Sequence, residues 1–340
     1  MKGKKILVTG GAGYIGSHTV LALKNAGFRP IIVDNFSNSE KWILKQLEEL
    51  LKESVIYHEI DCCDKDSFRA LFEKEKNIEG VIHFAAFKAV GESVQNPSKY
   101  YQNNIGSLSS LIDLMQEFKV PNLVFSSSCT VYGEADSLPV TEEHPIKKAS
   151  SPYGYTKQVC EQLIQDNLKA NNLEQVIILR YFNPIGAHPS GLIGELPLGI
   201  PNNLVPFITQ TAAGIRSQLS VFGNDYKTSD GTCVRDYIHV MDLAQAHVKS
   251  LELMMQKKES YIFNIGSGAG TSVLEAIRAF EKVTKLKLNY RIAEKREGDI
   301  EKIYASTSFA EDKLTWKTQY SIEDAMRDAW KWQEFLKNKS

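Results

Sequence analysis

Cysteine is scarce in this chain, and the few cysteines follow no paired spacing. Among 340 residues there are five, and no two of them form a C-x-x-C motif. The odd number and the spacing argue against a disulfide framework and against a zinc site. The sequence therefore predicts no metal and favours a cytoplasmic enzyme of moderate size.

The chain also lacks an excess of charge of either sign and lacks long apolar runs. Lys and Arg number 40 and Asp and Glu number 41, which gives a net charge of −1. Because nucleic-acid-binding proteins usually carry a basic excess, we expect no such partner. No apolar run approaches the roughly 18 residues of a membrane span, and the run from Ile6 to Val8 is too short for a signal peptide, so we expect no membrane association.

In the first half of the chain, short β-branched segments alternate with stretches of helical spacing. The segments that predict buried strands are 5–9, 30–34, 81–84, 123–126 and 176–179. The stretches that predict helices are 14–26, 41–52 and 97–118. This alternation predicts an α/β fold with a doubly wound parallel sheet, the Rossmann arrangement.

The second half has a different texture. Residues 183–203 contain four prolines and four glycines, which predicts a long ordered loop. Helices are predicted near 204–213, 240–255, 272–284 and 321–336. We therefore predict a Rossmann domain over 1–182 and a smaller mixed α/β substrate domain over 183–340. The boundary is soft, because segments near 236–268 should pack back on the first domain.

A glycine-rich turn follows the first predicted strand and opens the first predicted helix. Four glycines fall within residues 10–16, and Gly10, Gly13 and Gly16 fit the pattern G-x-x-G-x-x-G. Glycine permits the tight turn and the close approach of the backbone to a pyrophosphate, whose charge then meets the N–H groups of the helix. The alternative, an ordinary strand-to-helix turn, explains the density of glycine poorly.

Two acidic residues lie where a dinucleotide would need them. Asp34 ends the second predicted strand, at the offset expected for a carboxylate that binds the adenosine ribose. No Arg or Lys occurs in residues 35–40 to meet a 2′-phosphate, so the sequence favours NAD over NADP. Asp61 follows a further predicted strand and could reach the adenine, although a role in a turn explains it equally well.

A tyrosine, a lysine and a serine form the candidate catalytic group. Tyr153 and Lys157 are four residues apart, so both lie on one face of a helix. Ser128 follows the strand predicted at 123–126 and therefore lies at the carboxyl edge of the sheet, where ligands bind in such folds. A tyrosinate could accept a hydroxyl proton, and the positive charges of Lys157 and of a nicotinamide would favour that anion.

These features together resemble the extended short-chain dehydrogenase/reductase superfamily, and within it the family of UDP-glucose 4-epimerases. The likeness covers essentially the whole chain. The segments that carry the finer likeness are 84–94, 126–133, 180–188, 200–204, 234–240 and 296–299. The resemblance implies an NAD-binding first domain, a UDP-sugar-binding second domain and a homodimer formed through the helices at 97–118 and 152–171.

The resemblance also implies roles for individual residues. The implied catalytic residues are Tyr153, Lys157 and Ser128. The implied cofactor contacts are Gly10, Gly13, Tyr14, Ile15, Gly16, Asp34, Asn35, Phe36, Ser37, Asn38, Ser39, Asp61, Cys62, Phe84, Ala85, Ala86, Phe87, Lys88, Asn103, Ser128, Tyr153, Lys157 and Phe182. The implied substrate contacts are Ser128, Tyr153, Asn183, Asn203, Leu204, Ser220, Val221, Phe222, Arg235, Arg296, Asp299 and Ile303.

The activity that this resemblance implies is reversible inversion at C4 of UDP-glucose and UDP-galactose, with weaker use of N-acetylated sugars. Two positions depart from the family pattern. Cys129 replaces the usual alanine, and Ile303 stands where other family members have either a bulky aromatic or a small residue. Three alternatives remain open, namely a nucleotide-sugar 4,6-dehydratase, a UDP-uronate epimerase and a catalytically silent NAD-binding regulator. The dehydratases carry an Asp-Glu pair where this chain has Cys129-Thr130.

Overall fold

A computed structural model describes residues 2–296 and 299–339 of the chain. Its strands are β1 (Lys5–Thr9), β2 (Arg29–Asp34), β3 (Ile56–Glu59), β4 (Ile78–His83), β5 (Asn122–Ser126), β6 (Gln175–Tyr181), β7 (Asn183–Ile185), β8 (Leu219–Phe222), β9 (Val234–His239), β10 (Tyr261–Ile265), β11 (Gly270–Ser272), β12 (Tyr290–Ala293) and β13 (Lys302–Ile303).

The α-helices run between the strands and after them. They are α1 (Tyr14–Asn25), α2 (Trp42–Leu51), α3 (Lys65–Lys74), α4 (Val90–Gln95), α5 (Pro97–Tyr100), α6 (Gly106–Glu117), α7 (Pro152–Lys169), α8 (Leu204–Ala212), α9 (Val240–Lys257), α10 (Val273–Thr284), α11 (Ser308–Leu314) and α12 (Ile322–Lys339). Among the described helices, none is long and apolar enough to cross a membrane.

Seven parallel strands form the main sheet, in the order β10-β6-β5-β4-β1-β2-β3. The strands are buried because their apolar side chains point into a core on each face of the sheet. The chain adds β2 and β3 on one side of β1 and β4, β5, β6 and β10 on the other, so the strand order reverses between β1 and β4. Ligands of such sheets bind at the carboxyl ends of the strands beside this point. The predicted doubly wound α/β fold is confirmed.

A smaller part of the molecule lies beyond β6. Strands β7, β9, β11 and β13 form a second sheet, and β8 pairs with β12 in a third. Helices α8, α10 and α12 enclose a separate core with these strands. Strand β10 belongs to the main sheet, and α9 packs against α1. The division of the chain at residue 183 stays a prediction.

The helix predicted over 97–118 differs in detail. Asparagine before proline is a common way to begin a helix; here Pro97 does occupy the first turn, but the Asn96 side chain makes no capping hydrogen bond. Residues Tyr101–Ile105 form a π-helical stretch between α5 and α6. A single π-helical turn, with hydrogen bonds from i to i+5, has no residue pattern of its own, so the sequence indicates the helix but not this bulge.

Candidate active site

The glycine turn between β1 and α1 has no room for side chains. Gly10 has a φ of +68°, and a Cβ there would lie 3.0 Å from the backbone nitrogen of Ala85. A Cβ on Gly16 would lie 2.1 Å from the carbonyl oxygen of Gly10. Gly13 is the N-cap of α1 and has no side chain to cap it, so the first N–H groups of the helix are left for an anionic ligand.

A cavity of about 310 Å³ lies along this turn at the carboxyl edge of the sheet. All the predicted cofactor residues line it except Phe36, Ser128, Tyr153, Lys157 and Phe182. The cavity also includes one predicted substrate residue, Asn203. A dinucleotide fits this site because the cavity joins the open helix N-terminus to the carboxylate of Asp34.

Asp34 organises one end of the cavity through its hydrogen bonds. Its Oδ2 accepts a hydrogen bond from the Ala12 N–H over 3.0 Å, and its Oδ1 accepts from the Phe36 N–H over 2.9 Å and from Ser39 Oγ over 3.0 Å. Burial raises the pKa of Asp34, while these hydrogen bonds lower it. The carboxylate is thus held in one orientation, and Phe36 contributes its backbone rather than a wall of the cavity.

Ser128 lies at the sheet's carboxyl edge, as predicted. It follows β5 and is the N-cap of a short 3₁₀-helix over Cys129–Tyr132, where its Oγ accepts from the Thr130 N–H over 3.3 Å. Its side chain is buried. The serine hydroxyl is therefore fixed at the end of a central strand.

Helix α7 presents Tyr153 and Lys157 to this serine. The helix starts at Pro152, and the Ser151 side chain caps it by accepting from the Gly154 N–H over 3.2 Å. Tyr153 is buried beside Ser128, whose side chain favours the ionised phenol and so lowers its pKa. Lys157 Nζ donates to the carbonyl oxygen of Ser126 over 2.6 Å. The structure thus brings the three predicted catalytic residues together.

Burial dominates the protonation of the pair. It raises the pKa of Tyr153 above its ordinary value, as does the neighbouring Tyr181, while the hydrogen bond with Ser128 lowers it. Burial lowers the pKa of Lys157 to about 8, opposed by Cys160 and Glu161. The protein alone therefore keeps the phenol neutral, and a tyrosinate needs additional positive charge from a bound ligand.

Two predicted substrate arginines meet around one carboxylate. Arg296 Nε donates to Asp299 Oδ2 over 2.9 Å, and Arg235 Nη2 lies 3.9 Å from Asp299 Oδ1. The guanidinium of Arg296 lies over the ring of Phe222, 4.6 Å from its centroid. Three more of the predicted substrate contacts, Ser220, Val221 and Phe222, lie together on β8. The intervening Glu297 and Gly298 are outside the described residues.

Ile303 lies in a small apolar cluster beside Ser128. The cluster contains Cys129 and Phe182, and Ile303 is buried in it. In the second sheet, Ile303 pairs with Arg235. Asn183 begins β7, which pairs with the same central strand, β9. Leu204 packs instead against the core of the smaller part.

Glu195 lines the cavity but has no signal in the sequence. It lies in the proline- and glycine-rich loop, where no periodicity distinguishes one acidic residue from another. Ala12 is also absent from the predicted set, because it contributes only its N–H. Among residues 2–296 and 299–339, no group of three His, Cys, Asp or Glu side chains could hold a metal ion.

The fold and this site define a class. A glycine turn at a parallel sheet's carboxyl edge, with a buried Ser, Tyr and Lys beside it, is the arrangement of an NAD-dependent enzyme of the extended short-chain dehydrogenase/reductase superfamily. A family model described as GDP-mannose 4,6 dehydratase matches residues 7–329.

Individual relatives narrow that class. The UDP-glucose 4-epimerase of Bacillus subtilis is 49% identical over 328 residues, 96% of each chain. That of Stenotrophomonas maltophila, solved with NAD and formylated UDP-arabinopyranose, has a TM-score of 0.96 and 44% identity, covering 99% of this chain and 100% of its own. That of Bifidobacterium longum, solved with NAD⁺ and UDP, has a TM-score of 0.95 and 43% identity over the same shares. The chain belongs to the UDP-glucose 4-epimerase family, and the prediction of NAD as cofactor is confirmed.

Proposed function

We propose that this protein interconverts UDP-glucose and UDP-galactose by reversible inversion at C4. The observation that carries the proposal is the buried placement of Tyr153 beside Ser128, with Lys157 one turn away on the same helix and bonded to the end of β5. This group lies at the same sheet edge as the dinucleotide cavity. A hydroxyl-bearing carbon placed there meets a proton acceptor and a hydride acceptor together.

In this proposal, Tyr153 removes the proton from the C4 hydroxyl and Ser128 hydrogen-bonds the same oxygen. Bound NAD supplies the acceptor for the C4 hydride and the source from which it returns. Lys157 contributes positive charge and a donor for the nicotinamide ribose. Burial lowers the pKa of Lys157 to about 8, so a negatively charged group bound beside it should shift the lysine further towards its protonated form. General acid–base catalysis of this kind contributes about 10²–10⁴-fold in rate.

Inversion requires the 4-keto sugar to turn over while its nucleotide stays bound. Arg235, Arg296 and Asp299 are suited to hold that nucleotide, because guanidinium groups match phosphate oxygens and the carboxylate aligns both of them. We expect Asn183, Asn203 and Leu204 to complete the site. The sugar then offers its other face to the returning hydride.

The competing functions predict different products. A 4,6-dehydratase needs an acid for elimination, and this chain has Cys129-Thr130 beside Ser128, where burial raises the pKa of the Cys129 thiol to about 12. The decisive assay incubates the protein with UDP-galactose and identifies the product by chromatography. UDP-glucose supports the epimerase, a 4-keto-6-deoxy sugar indicates the dehydratase, and no turnover indicates a regulator. Preference for a UDP-uronate indicates the uronate epimerase.

Further expectations concern range, assembly and setting. We propose weaker use of UDP-N-acetylglucosamine and UDP-N-acetylgalactosamine, a role in galactose metabolism, a cytoplasmic location and a homodimer. The helices proposed for the dimer, over 97–118 and 152–171, include an exposed aromatic side chain, that of Tyr155, at 49%. Sedimentation equilibrium tests the assembly, because a monomer at micromolar concentration would contradict it.

A further inference from the structure

A carboxylate bridges the two walls of the cavity. Glu195 Oε1 accepts from Lys88 Nζ over 3.0 Å and from Asn203 Nδ2 over 2.6 Å. Lys88 follows β4 on the cofactor side, whereas Asn203 precedes α8 in the smaller part. The side chain of Glu195 is only 13% exposed, whereas that of Lys88 is 44% exposed, so the hydrogen bond with Asn203 is the better shielded of the two. One oxygen atom therefore joins the cofactor side to the substrate side.

The Asn203 side chain bonds to Glu195 and does not cap the helix that follows it. It is the N-cap of α8, where an asparagine side chain normally accepts a hydrogen bond from the backbone of the first helical turn. Here it makes no capping hydrogen bond. Its amide donates to Glu195 instead. Such a diversion favours a functional orientation of Asn203 over helix stability.

The backbone at Glu195 is held independently of its side chain. The Trp332 Nε1–H donates to the Glu195 carbonyl oxygen over 2.8 Å. A Cβ on the preceding Gly194 would lie 2.5 Å from the Trp332 ring, so the loop is seated against α12. Trp332 also stacks on Trp42 of α2, with ring centroids 5.9 Å apart. Replacing the carboxylate should therefore leave the loop in place.

We propose that Glu195 is a positioning residue that orients Asn203 for the UDP-sugar and ties its placement to Lys88. This inference rests on the proposed function. The carboxylate neutralises Lys88 and fixes the amide nitrogen of Asn203, so the Asn203 carbonyl oxygen is left in a defined direction beside the cavity. Glu195 itself does not touch the reacting atoms in this account.

The test is a double-mutant cycle on the full-length protein. Variants Glu195→Ala, Asn203→Ala and the double variant are compared for kcat and KM with UDP-galactose. Glu195→Ala should raise KM about tenfold, the effect expected for loss of a hydrogen bond to a charged group, with kcat within about threefold. Adding Glu195→Ala to Asn203→Ala should change KM less than about twofold, since Glu195 acts through Asn203.

Two further variants separate positioning from general stability. Glu195→Gln keeps an oxygen acceptor, so its KM should be close to that of the parent. Glu323→Ala removes another carboxylate paired with a lysine, Lys282, outside the cavity, and should leave both constants unchanged. The proposal would be overturned if the KM increases of the two single variants multiplied in the double variant, or if Glu195→Ala left KM unchanged. It would also be overturned if Glu195→Ala lowered kcat by as large a factor as it raised KM and lowered the melting temperature as well.

Calorimetric titration with UDP keeps this inference distinct from the proposed function. If the parent binds UDP but does not turn over UDP-galactose, the proposed function fails, and the cycle is read from the dissociation constants instead. If the parent epimerises and the two residues show no coupling by either measurement, only the role of Glu195 fails. A parent that binds no UDP overturns both.

Discussion

The ammonium nitrogen of Lys157 lies 2.6 Å from the carbonyl oxygen of Ser126, the last residue of β5. This hydrogen bond joins α7 to the strand that ends two residues before Ser128. The bond therefore fixes where α7 lies along β5, and with it the position of Tyr153 relative to Ser128. The buried lysine also lies over the ring of Phe125, 4.9 Å from its centroid, which limits its movement.

Replacing the proposed base should separate catalysis from binding. Tyr153→Phe removes the hydroxyl that meets the substrate oxygen but keeps the ring, so kcat for UDP-galactose should fall about 10²–10⁴-fold. UDP affinity, measured by calorimetry, should change little. Ser128→Ala should lower kcat as well. Near-normal turnover in Tyr153→Phe would assign the base to another residue.

The cofactor should stay bound through many turnovers, because each cycle returns its hydride. Asp34→Ala removes the carboxylate that we expect to bind the adenosine ribose, so NAD should be lost during gel filtration. Added NAD should then restore activity, whereas the parent needs none. The bound nucleotide is measured by absorbance after acid release. Stoichiometric release of NADH, or a preference for NADP in the parent, would contradict this assignment.

Substrate range should respond to Ile303. Its β-branched side chain is stiff and buried beside Phe182 and Cys129. Ile303→Tyr should abolish activity on UDP-N-acetylglucosamine by filling space, and Ile303→Ser should raise it. The ratio of kcat/KM for acetylated and unacetylated substrates should change about 10–200-fold, which corresponds to about 1–3 kcal/mol of discrimination. If neither substitution changes that ratio, Ile303 serves packing alone.

Acid should destabilise the protein through buried histidines. Burial lowers the pKa of His18 and of His83 to about 3 and of His247 to about 4, against 6.5 when exposed. The unfolded chain then binds more protons between about pH 3 and 6.5, so stability falls as pH falls through 6.5. From pH 7 to 5, each histidine should cost about 2 kcal/mol of unfolding free energy.

Urea denaturation at several pH values checks this acid dependence. His247→Gln should reduce the dependence between pH 4 and 6.5 by about one proton. His144→Gln is the matched control, since its pair of contacts with Ser137 and Thr141 is near the surface. An unchanged slope in His247→Gln would show that carboxylates, rather than this histidine, govern acid unfolding.

The sequence supports prediction of the fold where its signals are local and repeated. The five β-branched segments became β1, β2, β4, β5 and β6, and the glycine turn lies where its spacing indicates. Short strands such as β13, with two residues, have no periodicity to detect. Their positions depend on pairing with distant strands, which a single sequence does not reveal.

The same distinction applies to the site. Tyr153 and Lys157 are found from the sequence because they share a helix, and Ser128 because it ends a strand. Glu195 is recognised only when the fold brings it to Lys88 and Asn203, which lie 107 and eight residues away in the chain. The pKa of Tyr153 also depends on burial that no motif encodes, and this burial raises it.

The fate of the hydrogen at C4 tests the central claim most directly. UDP-glucose carrying deuterium at C4 is incubated with the protein in ordinary water, and the UDP-galactose formed is examined by proton NMR and mass spectrometry. Transfer of the hydride to bound NAD and its return predict that deuterium remains at C4 of the inverted sugar. Replacement of the deuterium by solvent hydrogen, or a product not inverted at C4, would contradict the account.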